Sequence, residues 1–196
     1  MGMGQVARGH VARRPNLAEN PQVGAVALLK PAAQPEVAEE RGFAALVDGH
    51  WAFGQVVARF AGQVAVRKAQ AGGLAVVTAR NSNHVGRLAD VVEFVSDAGL
   101  IGLAAVNDSG AGQCVVPWGG TDGRLSTNPI AVGVPGGDNP GILFDFSTSA
   151  AASGKVRQLL LRGEQAPDGW LIDGSGAPTR DPGVLFREPH GFLLPA

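Results

Sequence analysis

A polar junction near the middle of the chain carries the residues best suited to chemistry. The stretch NSNHVGRL, residues 81–88, separates an apolar run from an amphipathic one and contains one of the chain's four histidines. Two interpretations are open. Asn81, Ser82 or Asn83 caps a helix and His84 only occupies its first turn. Alternatively, His84 is a proton donor at the mouth of a site, facing a cavity and ready to protonate an oxygen on which negative charge develops.

The elements that must position this junction alternate between strand and helix. Apolar spacing predicts five elements in the first half of the chain: a strand at 43–49, a helix from 53 to 72, a strand at 74–79, a helix at 85–98 and a strand at 100–107. The second half predicts strands at 130–134 and 142–146 and a helix at 150–163, with loops after it. This order indicates an α/β protein, with His84 where a strand passes into a helix.

Composition limits the classes of function that fit. The 196 residues are 45% hydrophobic and 17% charged with a formal net charge of -1, which gives no general attraction to nucleic acid or to an anionic membrane. No apolar run approaches the ~20 residues that cross a bilayer. The single cysteine, Cys114, cannot form an internal disulfide, which fits a reducing compartment. We therefore expect a cytoplasmic protein that acts on a small molecule.

Three common catalytic patterns do not fit the chain. GMGQVA at residues 2–7 has the glycines of a dinucleotide loop but no strand before it. None of the four histidines has a metal-ligand partner at close spacing, so no metal site is predicted. The sequence also lacks the Gly-x-Ser-x-Gly elbow of a serine hydrolase.

Eight stretches, taken in order, resemble the type-2 malate/L-lactate dehydrogenase family from about residue 43 to the C-terminus. They are VDG (47–49), GQVVA (54–58), RNSNHVGR (80–87), AGLIGLAAVND (98–108), VPWGG (116–120), STNPIAVGVP (126–135), LFDFSTSAAASGKV (143–156) and DGWLIDGSGAPTRDPGVLF (168–186). The family also includes ureidoglycolate and sulfolactate dehydrogenases and imino-acid reductases. Each stretch alone is weak evidence for the family, whereas eight stretches in the same order form a specific pattern.

The resemblance implies a fold and an activity. It implies an α/β fold with a mixed, largely antiparallel, non-Rossmann sheet and flanking helices, assembled as a homodimer. It also implies an enzyme that uses NAD or NADP to interconvert a small 2-hydroxy acid, such as malate or lactate, and its 2-oxo acid by hydride transfer. Residues 1–40, where only a short strand at 23–29 is predicted, would be an arm left from a substrate and dimerisation domain. Residues 41–196 would be the NAD(P)-binding domain.

The resemblance further implies roles for individual residues. His84, with the N-terminal His10, would be catalytic, and Arg13 or Arg14 would bind the substrate together with Asp108. Contacts to the cofactor are implied for two loops, which contain Thr127, Asn128 and Pro129 in the first, and Asp145, Ser147, Thr148 and Ser149 in the second.

The local chemistry is compatible with these roles, although simpler explanations exist. A helix start disfavours extra positive charge on His84, which suits a group that exchanges a proton with substrate. Hydroxyls and free N–H groups where residues 147–149 enter a helix suit ribose and phosphate oxygens. Without the resemblance, residues 126–129 are simply a good turn and residues 147–149 a helix cap.

The chain departs from the family pattern at both ends. The family has Arg-Gly-His-x-Ser-His-Gly near its N-terminus, whereas this chain has ARGHVARRPNL at residues 7–17, as if a few residues were lost after His10. Either His10 replaces the second histidine or that histidine is absent. GFLLPA at 191–196 stops where the family continues, so a fragment, a truncated product and a degraded paralogue are all open. The alternative function is a catalytically inactive homologue that only binds nucleotide or a partner chain.

The predicted strands also imply exposed apolar surface. Those at 74–79, 100–107, 130–134 and 142–146 are apolar nearly throughout, which is typical of strands covered on both faces. Only three convincing helices are predicted to cover them. If the strands form one sheet, we expect part of its apolar face to be exposed, beyond the few hundred Å² usual for a monomer.

Overall fold

The computed structural model describes residues 29–108 and 112–196. Several predictions lie outside the described residues: nearly all of the strand at 23–29, the catalytic His10, and the substrate-binding Arg13 and Arg14. The described residues form three small sheets with three α-helices. Every strand and helix predicted from residue 43 to residue 163 is present, with ends that shift by at most four residues.

The first sheet places the end of its middle strand beside the junction. β2 (Ala44–Asp48) pairs antiparallel with β1 (Glu36–Arg41) and parallel with β3 (Val76–Arg80). In this register Asp48 is the direct partner of Arg80, which leads into the junction. The sequence does not predict β1, because EVAEER is mostly charged and lacks apolar alternation, as suits an exposed edge strand.

Two helices connect the first sheet to the second. α1 (Gly54–Gly72) packs against β2 and β3, and its buried Lys68 forms an ion pair with Glu40 of β1, with 2.7 Å between Nζ and Oε1. Gly73 ends α1 at a φ of 80°, a left-handed conformation that favours glycine, so the predicted stop is confirmed. α2 (Ala89–Asp97) packs against α1 and against the second sheet.

The second sheet is antiparallel throughout. β5 (Ile130–Val134) pairs with β4 (Gly102–Ala105) on one side and with β6 (Ile142–Phe146) on the other. One face packs on α2 so closely that a Cβ at Gly133 would lie 2.6 Å from the carbonyl oxygen of Val92. Only glycine allows this approach of helix to strand.

The opposite side of this sheet, here called the outer face, carries two rows of apolar side chains. Leu103, Val132 and Phe144 stand side by side in register, and 74% of Leu103 and 59% of Phe144 are exposed. The next row contains Ile130 and Phe146, of which Phe146 is 52% exposed. Apolar side chains are therefore exposed on this face, as expected, and the predicted area of the patch stays a prediction.

A third, small sheet occupies the region predicted as loop. β7 (Leu171–Ile172) pairs antiparallel with β8 (Pro178–Thr179) and with β9 (Phe192–Leu193). α3 (Ser153–Arg162) and a 3₁₀ helix (Pro182–Leu185) pack beside it, around the fully buried leucines of β7 and β9. Strands of two residues are too short to show a periodic pattern, so the sequence does not reveal them.

The predicted fold class is confirmed, since the strand pairs are antiparallel apart from β2 with β3 and helices flank the sheets. The expectation of one continuous sheet is wrong. β3 belongs to the first sheet and β4, β5 and β6 to the second, because α1 and α2 pack between them. Within the described residues, no helix combines the length and the apolar character that crossing a membrane requires.

Candidate active site

Asp48, the last residue of β2, anchors the junction. Its carboxylate is nearly buried and accepts hydrogen bonds from the main-chain N–H of His50 (2.9 Å), Nε of Arg80 (3.0 Å) and Nδ2 of Asn81 (3.0 Å). These donors favour the ionised form, the His50 N–H most, and lower the pKa of Asp48 from 3.8 to about 2. One carboxylate thus joins the turn after β2 to the start of the junction.

Asn83 makes the second anchor. Its Nδ2 donates to the carbonyl oxygens of Trp51 (2.7 Å) and Ala52 (3.0 Å), while the N–H of Trp51 donates to the carbonyl oxygen of Asn81 (2.7 Å). Ser82 donates its hydroxyl to the carbonyl oxygen of Asn83. The interpretation of these three polar residues as helix caps is therefore wrong, because their side chains bond to the turn and to the junction itself.

The turn that receives these bonds has an unusual backbone. His50 and Trp51 take φ values of 48° and 63°, a left-handed conformation that costs a non-glycine residue free energy. Such residues persist where surrounding contacts hold them in place. Here the N–H of His50 donates to Asp48, and Nδ2 of Asn83 donates to the carbonyl oxygen of Trp51.

Gly54, the first residue of α1, lets the helix start against the junction. A Cβ at this position would overlap the carbonyl oxygens of Asn83 and His84. Main chain cannot move aside as a flexible side chain can, so the contact requires glycine. The junction is therefore held by hydrogen bonds on one side and by close packing on the other.

His84 is exposed and lies before the helix rather than in its first turn. Its Nδ1 accepts the main-chain N–H of Gly86 at 3.0 Å, and its Nε2 has no hydrogen-bond partner in the part of the chain that the structure describes. α2 begins at Ala89, not at the predicted Val85, because Gly86 has a φ of 82° that a helix cannot accommodate. The expectation that His84 lies at the N-terminal end of this helix is therefore wrong.

Two cavities, of about 500 and 630 Å³, lie along α1, and His84 lines neither of them. His84 is exposed and not packed in the core, and the expectation that its ring faces a cavity stays a prediction. The smaller cavity is lined in part by Gln55 and Arg59. Gln55 also approaches the junction, because a Cβ at Gly86 would lie 3.3 Å from its Nε2.

The loops predicted to contact a cofactor meet at one edge of the second sheet, where β4 and β6 end and β5 begins. The carbonyl oxygen of Thr127 accepts the hydroxyl of Ser147 (3.0 Å) and the main-chain N–H of Thr148 (3.0 Å). The hydroxyl of Thr148 also lies 3.2 Å from the carbonyl oxygen of Asn128. The fold thus brings together residues that are about twenty positions apart in the chain.

These loops offer a ligand mainly hydrogen-bond acceptors. The hydroxyl of Thr148 donates to main-chain carbonyls, so its lone pairs remain for an incoming donor. Oγ of Ser147 already accepts the main-chain N–H of Ser149 at 3.1 Å and lies 2.6 Å from Oγ of Ser149. Oδ1 of Asn128 is buried and has no partner among the described residues. Acceptors of this kind fit the ribose hydroxyls and the carboxamide N–H of a nicotinamide nucleotide. They do not fit phosphate, which needs donors.

Asp145 and Ser149 are engaged within the fold. Oδ2 of Asp145 accepts the main-chain N–H of Ala89 at 2.8 Å and so caps the start of α2 from a neighbouring strand. Ser149 is 4% exposed and donates its hydroxyl to a main-chain carbonyl two residues on. α3 begins at Ser153, so the expectation that residues 147–149 lie at its N-terminus is wrong. Contacts of Asp145 and Ser149 with a cofactor remain predictions.

Pro129 and Asp108 lie near the same sheet edge. The carbonyl oxygen of Pro129 accepts the N–H of Val106 at 3.1 Å, which joins the segments before β5 and after β4. Asp108 lies against Gly112, where a Cβ would overlap its Oδ2. Its contact with a substrate remains a prediction.

Sequence reasoning missed Asp48 and Asn83 as anchors. It used Asp48 only as part of an Asp-Gly turn and Asn83 only as a possible cap. One signal was present: Asp48 ends one predicted strand, and Arg80 and Asn81, both hydrogen-bond donors, follow the next. Only the parallel pairing of β2 with β3 brings them together.

Comparisons with known proteins agree with this architecture. The family model for malate/L-lactate dehydrogenase matches residues 11–196. Hydroxycarboxylate dehydrogenase B of Escherichia coli (strain K12) is 40% identical over 156 residues, which cover 80% of this chain and 43% of that protein. The solved structure of delta1-piperideine-2-carboxylate reductase from Pseudomonas syringae pvar. tomato has a TM-score of 0.78 and 32% identity, and covers 89% of this chain and 52% of that one.

Sulfolactate dehydrogenase from Methanocaldococcus jannaschii is a further structural relative. It has a TM-score of 0.73 and 30% identity, with 89% of this chain and 50% of that one covered. The fold and the sequence therefore define a piece of non-Rossmann dehydrogenase architecture. The chain belongs to the malate/L-lactate dehydrogenase family and spans about half the length of the relatives it matches. The match of the family model extends further towards the N-terminus than the predicted start near residue 43.

Proposed function

We propose that the protein is an NAD(P)-dependent oxidoreductase that interconverts a small 2-hydroxy acid, such as malate or lactate, and its 2-oxo acid by hydride transfer. Family membership supports the reaction class. The observation that carries the proposal is the anchored junction, in which a loop fixed by Asp48 and Asn83 presents an exposed imidazole at His84. A catalytic group has to be held in this way, because small misplacements cost large factors in rate.

In this proposal the chain's own residues bind and orient the acid. His84 meets the C2 oxygen through Nε2 and acts as the proton donor to that oxygen as negative charge develops there during reduction. Arg13 or Arg14, with Asp108, binds the rest of the acid. The bonds of Asp48 to the start of the junction keep the imidazole in place while the substrate arrives.

When bound, a nicotinamide cofactor supplies the hydride to C2 or takes it up. We assign its ribose and carboxamide to the acceptors of two loops, formed by Thr127, Asn128 and Pro129 and by Asp145, Ser147, Thr148 and Ser149. The unpartnered Oδ1 of Asn128 and the acceptor lone pairs of Thr148 support this assignment. Either NAD or NADP carries these groups.

The proposal includes a homodimer in the cytoplasm. Residues 1–40 would belong to a substrate and dimerisation domain and residues 41–196 to the NAD(P)-binding domain. Because β1 (Glu36–Arg41) pairs along its length with β2, we move the boundary between the two domains to the residues before Glu36. Sedimentation of the purified protein tests the dimer.

The activity is tested by oxidation of NADH and NADPH with a panel of 2-oxo acids, combined with calorimetry of nucleotide binding. We expect oxidation with at least one small 2-oxo acid. Nucleotide binding without turnover supports the alternative, a catalytically inactive homologue, and the absence of both contradicts the proposal.

A matched pair of variants tests the cofactor loops. Thr148→Val removes a hydroxyl that we assign to the cofactor and should weaken nucleotide binding roughly 3- to 10-fold, the usual value of one hydrogen bond. Thr121→Val makes the same change at an exposed position outside the loops and should leave the dissociation constant unchanged.

A further inference from the structure

The buried ammonium group of Lys68 has fewer hydrogen-bond partners than it can use. Its side chain is 7% exposed, and its Nζ donates to Oε1 of Glu40 at 2.7 Å. An ammonium group carries three N–H donors, and the described residues supply no acceptor for the other two. Because burial of a charge costs free energy unless its donors are satisfied, a further acceptor beside Lys68 would be stabilising.

The larger of the two cavities, of about 630 Å³, lies at this lysine. Lys68 and Glu40 line it together with Arg67, Phe43 and Gly72. α1 begins against the junction at Gly54, and a helix rises ~1.5 Å per residue, so Lys68 lies roughly 20 Å from that contact. The cavity is therefore separate from the candidate active site.

The charges around this cavity favour an anion. Glu40 is the only carboxylate among the described residues that line it, whereas Arg67 and Lys68 are both cations. The hydrogen bond from Lys68 and the charge of Lys68, with a smaller contribution from Arg67, lower the pKa of Glu40, so its carboxylate stays ionised. Arg67 is exposed and has no hydrogen-bond partner in the described part of the chain. One carboxylate cannot neutralise two cations, and an anion beside Arg67 and Lys68 would do so.

Phe43 gives the same cavity an apolar wall. Its side chain is 57% exposed, and its carbonyl oxygen accepts the N–H of Val76 at 3.0 Å, which holds its main chain in place. A Cβ at Gly42 or at Gly72, which also line the cavity, would meet no atom within 4 Å. The space is thus larger than a lone phosphate or carboxylate needs, and its volume is typical of sites for small organic molecules.

We propose that this cavity binds a small organic anion, with a carboxylate or phosphate group at Lys68 and Arg67 and a flat apolar ring against Phe43. Glu40 holds one N–H of the ammonium group and leaves the other two for the ligand. Its own negative charge opposes the anion and weakens binding. The proposed reaction and the cofactor loops use none of these residues, so the inference does not rest on the proposed function.

Two probes test the site and distinguish the acid groups. Benzoate and phenyl phosphate are each titrated into the full chain, and the main-chain amides are followed by ¹H–¹⁵N NMR. We expect saturating shifts at the amides of Phe43, Arg67 and Lys68, and the tighter probe identifies the acid group. Benzamide has the ring without the charge, and inorganic phosphate has the charge without the ring. Both should bind at least about tenfold more weakly.

Four variants test the role of each charge. Arg67→Gln and Lys68→Met should each weaken binding of the tighter probe roughly tenfold, because each removes a charged donor. Glu40→Gln keeps an acceptor for Lys68 but removes the opposing charge, so it should tighten binding roughly 3- to 10-fold. Arg162→Gln is the matched control, since Arg162 is an exposed arginine in the last turn of α3, and should leave the dissociation constant unchanged.

Several results would overturn the proposal. Equal binding of benzoate and benzamide would remove the role of charge, and equal binding of phenyl phosphate and inorganic phosphate would remove the role of Phe43. An unchanged dissociation constant in Arg67→Gln would contradict the placement of the anion, because an exposed arginine can be replaced without unfolding the chain. Shifts confined to Asn128 and Thr148, or no shifts at all, would contradict the site itself. A failure to reduce any 2-oxo acid contradicts only the proposed function and leaves these titrations decisive.

Discussion

The junction and the outer face of the second sheet present surface in opposite ways. The junction is polar, and Asp48 and Asn83 bond it to the turn after β2. The outer face is apolar, and Leu103 and Phe144 expose most of their side chains. The predicted catalytic group lies in the first region, whereas the predicted cofactor loops lie at the edge of the sheet that carries the second.

Contacts within the chain hold the junction in one conformation, whereas the outer face lacks such contacts among the described residues. Hydrogen bonds that are satisfied within the chain fix a loop in water, whereas exposed apolar side chains lower the free energy only when something covers them. Substitutions in the junction should therefore change stability and geometry. Substitutions on the outer face should change association and leave the folding of the chain intact.

The largest expected effect comes from two leucines that differ in burial. Leu88 ends the junction, is 4% exposed and packs against Val92 and Ala131, so Leu88→Ala should cost about 2–5 kcal/mol of unfolding free energy. Leu103→Ala on the outer face should change it by less than about 0.5 kcal/mol. Urea unfolding measures both. A cost above about 2 kcal/mol for Leu103→Ala would show that the outer face is covered in solution.

A smaller effect is expected from the first residue of α1. Gly54→Ala forces a Cβ onto the carbonyl oxygens of Asn83 and His84 and should destabilise the protein by about 1–3 kcal/mol. Gly72→Ala, in the last turn of the same helix, meets no atom within 4 Å and should stabilise it by about 0.5–1 kcal/mol. If the two variants unfold alike, the junction does not pack on α1 as described.

The smallest effect is a pH dependence at Asp48. Its lowered pKa means that its stabilising contribution is complete above pH 3.8 and is lost as the pH falls towards about 2. The urea midpoint of the wild type should therefore fall more steeply below about pH 4 than that of Asp48→Asn. Asp138→Asn, in an exposed loop, should keep the wild-type slope. Parallel curves for wild type and Asp48→Asn would remove Asp48 as the anchor.

The sequence predicts the elements of this fold better than it predicts their contacts. β5 and β6 have the predicted bounds because β5 lies between Pro129 and Pro135, and β6 runs from Gly141 to the polar residue Ser147. The sequence analysis placed strands 74–79 and 130–134 in one sheet. Which strands pair depends on the helices that pack between them, and the residues of a single strand do not reveal those contacts. The start of α2 is predicted too early because the local sequence does not reveal the φ of 82° at Gly86, which lies beside Gln55 of α1.

In the candidate site, too, individual residues are easier to predict than the contacts between them. The resemblance implies roles for His84, Thr127 and Ser147, and the structure brings the last two together. The anchoring roles of Asp48 and Asn83 depend on the meeting of segments more than thirty residues apart, which spacing along the chain cannot reveal.

Transfer of deuterium tests the proposed chemistry at His84 most directly. The protein expressed from its whole gene is incubated with a 2-oxo acid and NADH or NADPH deuterated at C4, and the product is analysed by mass spectrometry. We expect deuterium at C2 of the 2-hydroxy acid, formed roughly 10² to 10⁴ times more slowly by His84→Ala, the usual effect of removing a general acid. An unchanged rate in His84→Ala, or a product without deuterium at C2, would contradict the assignment of hydride transfer to this site.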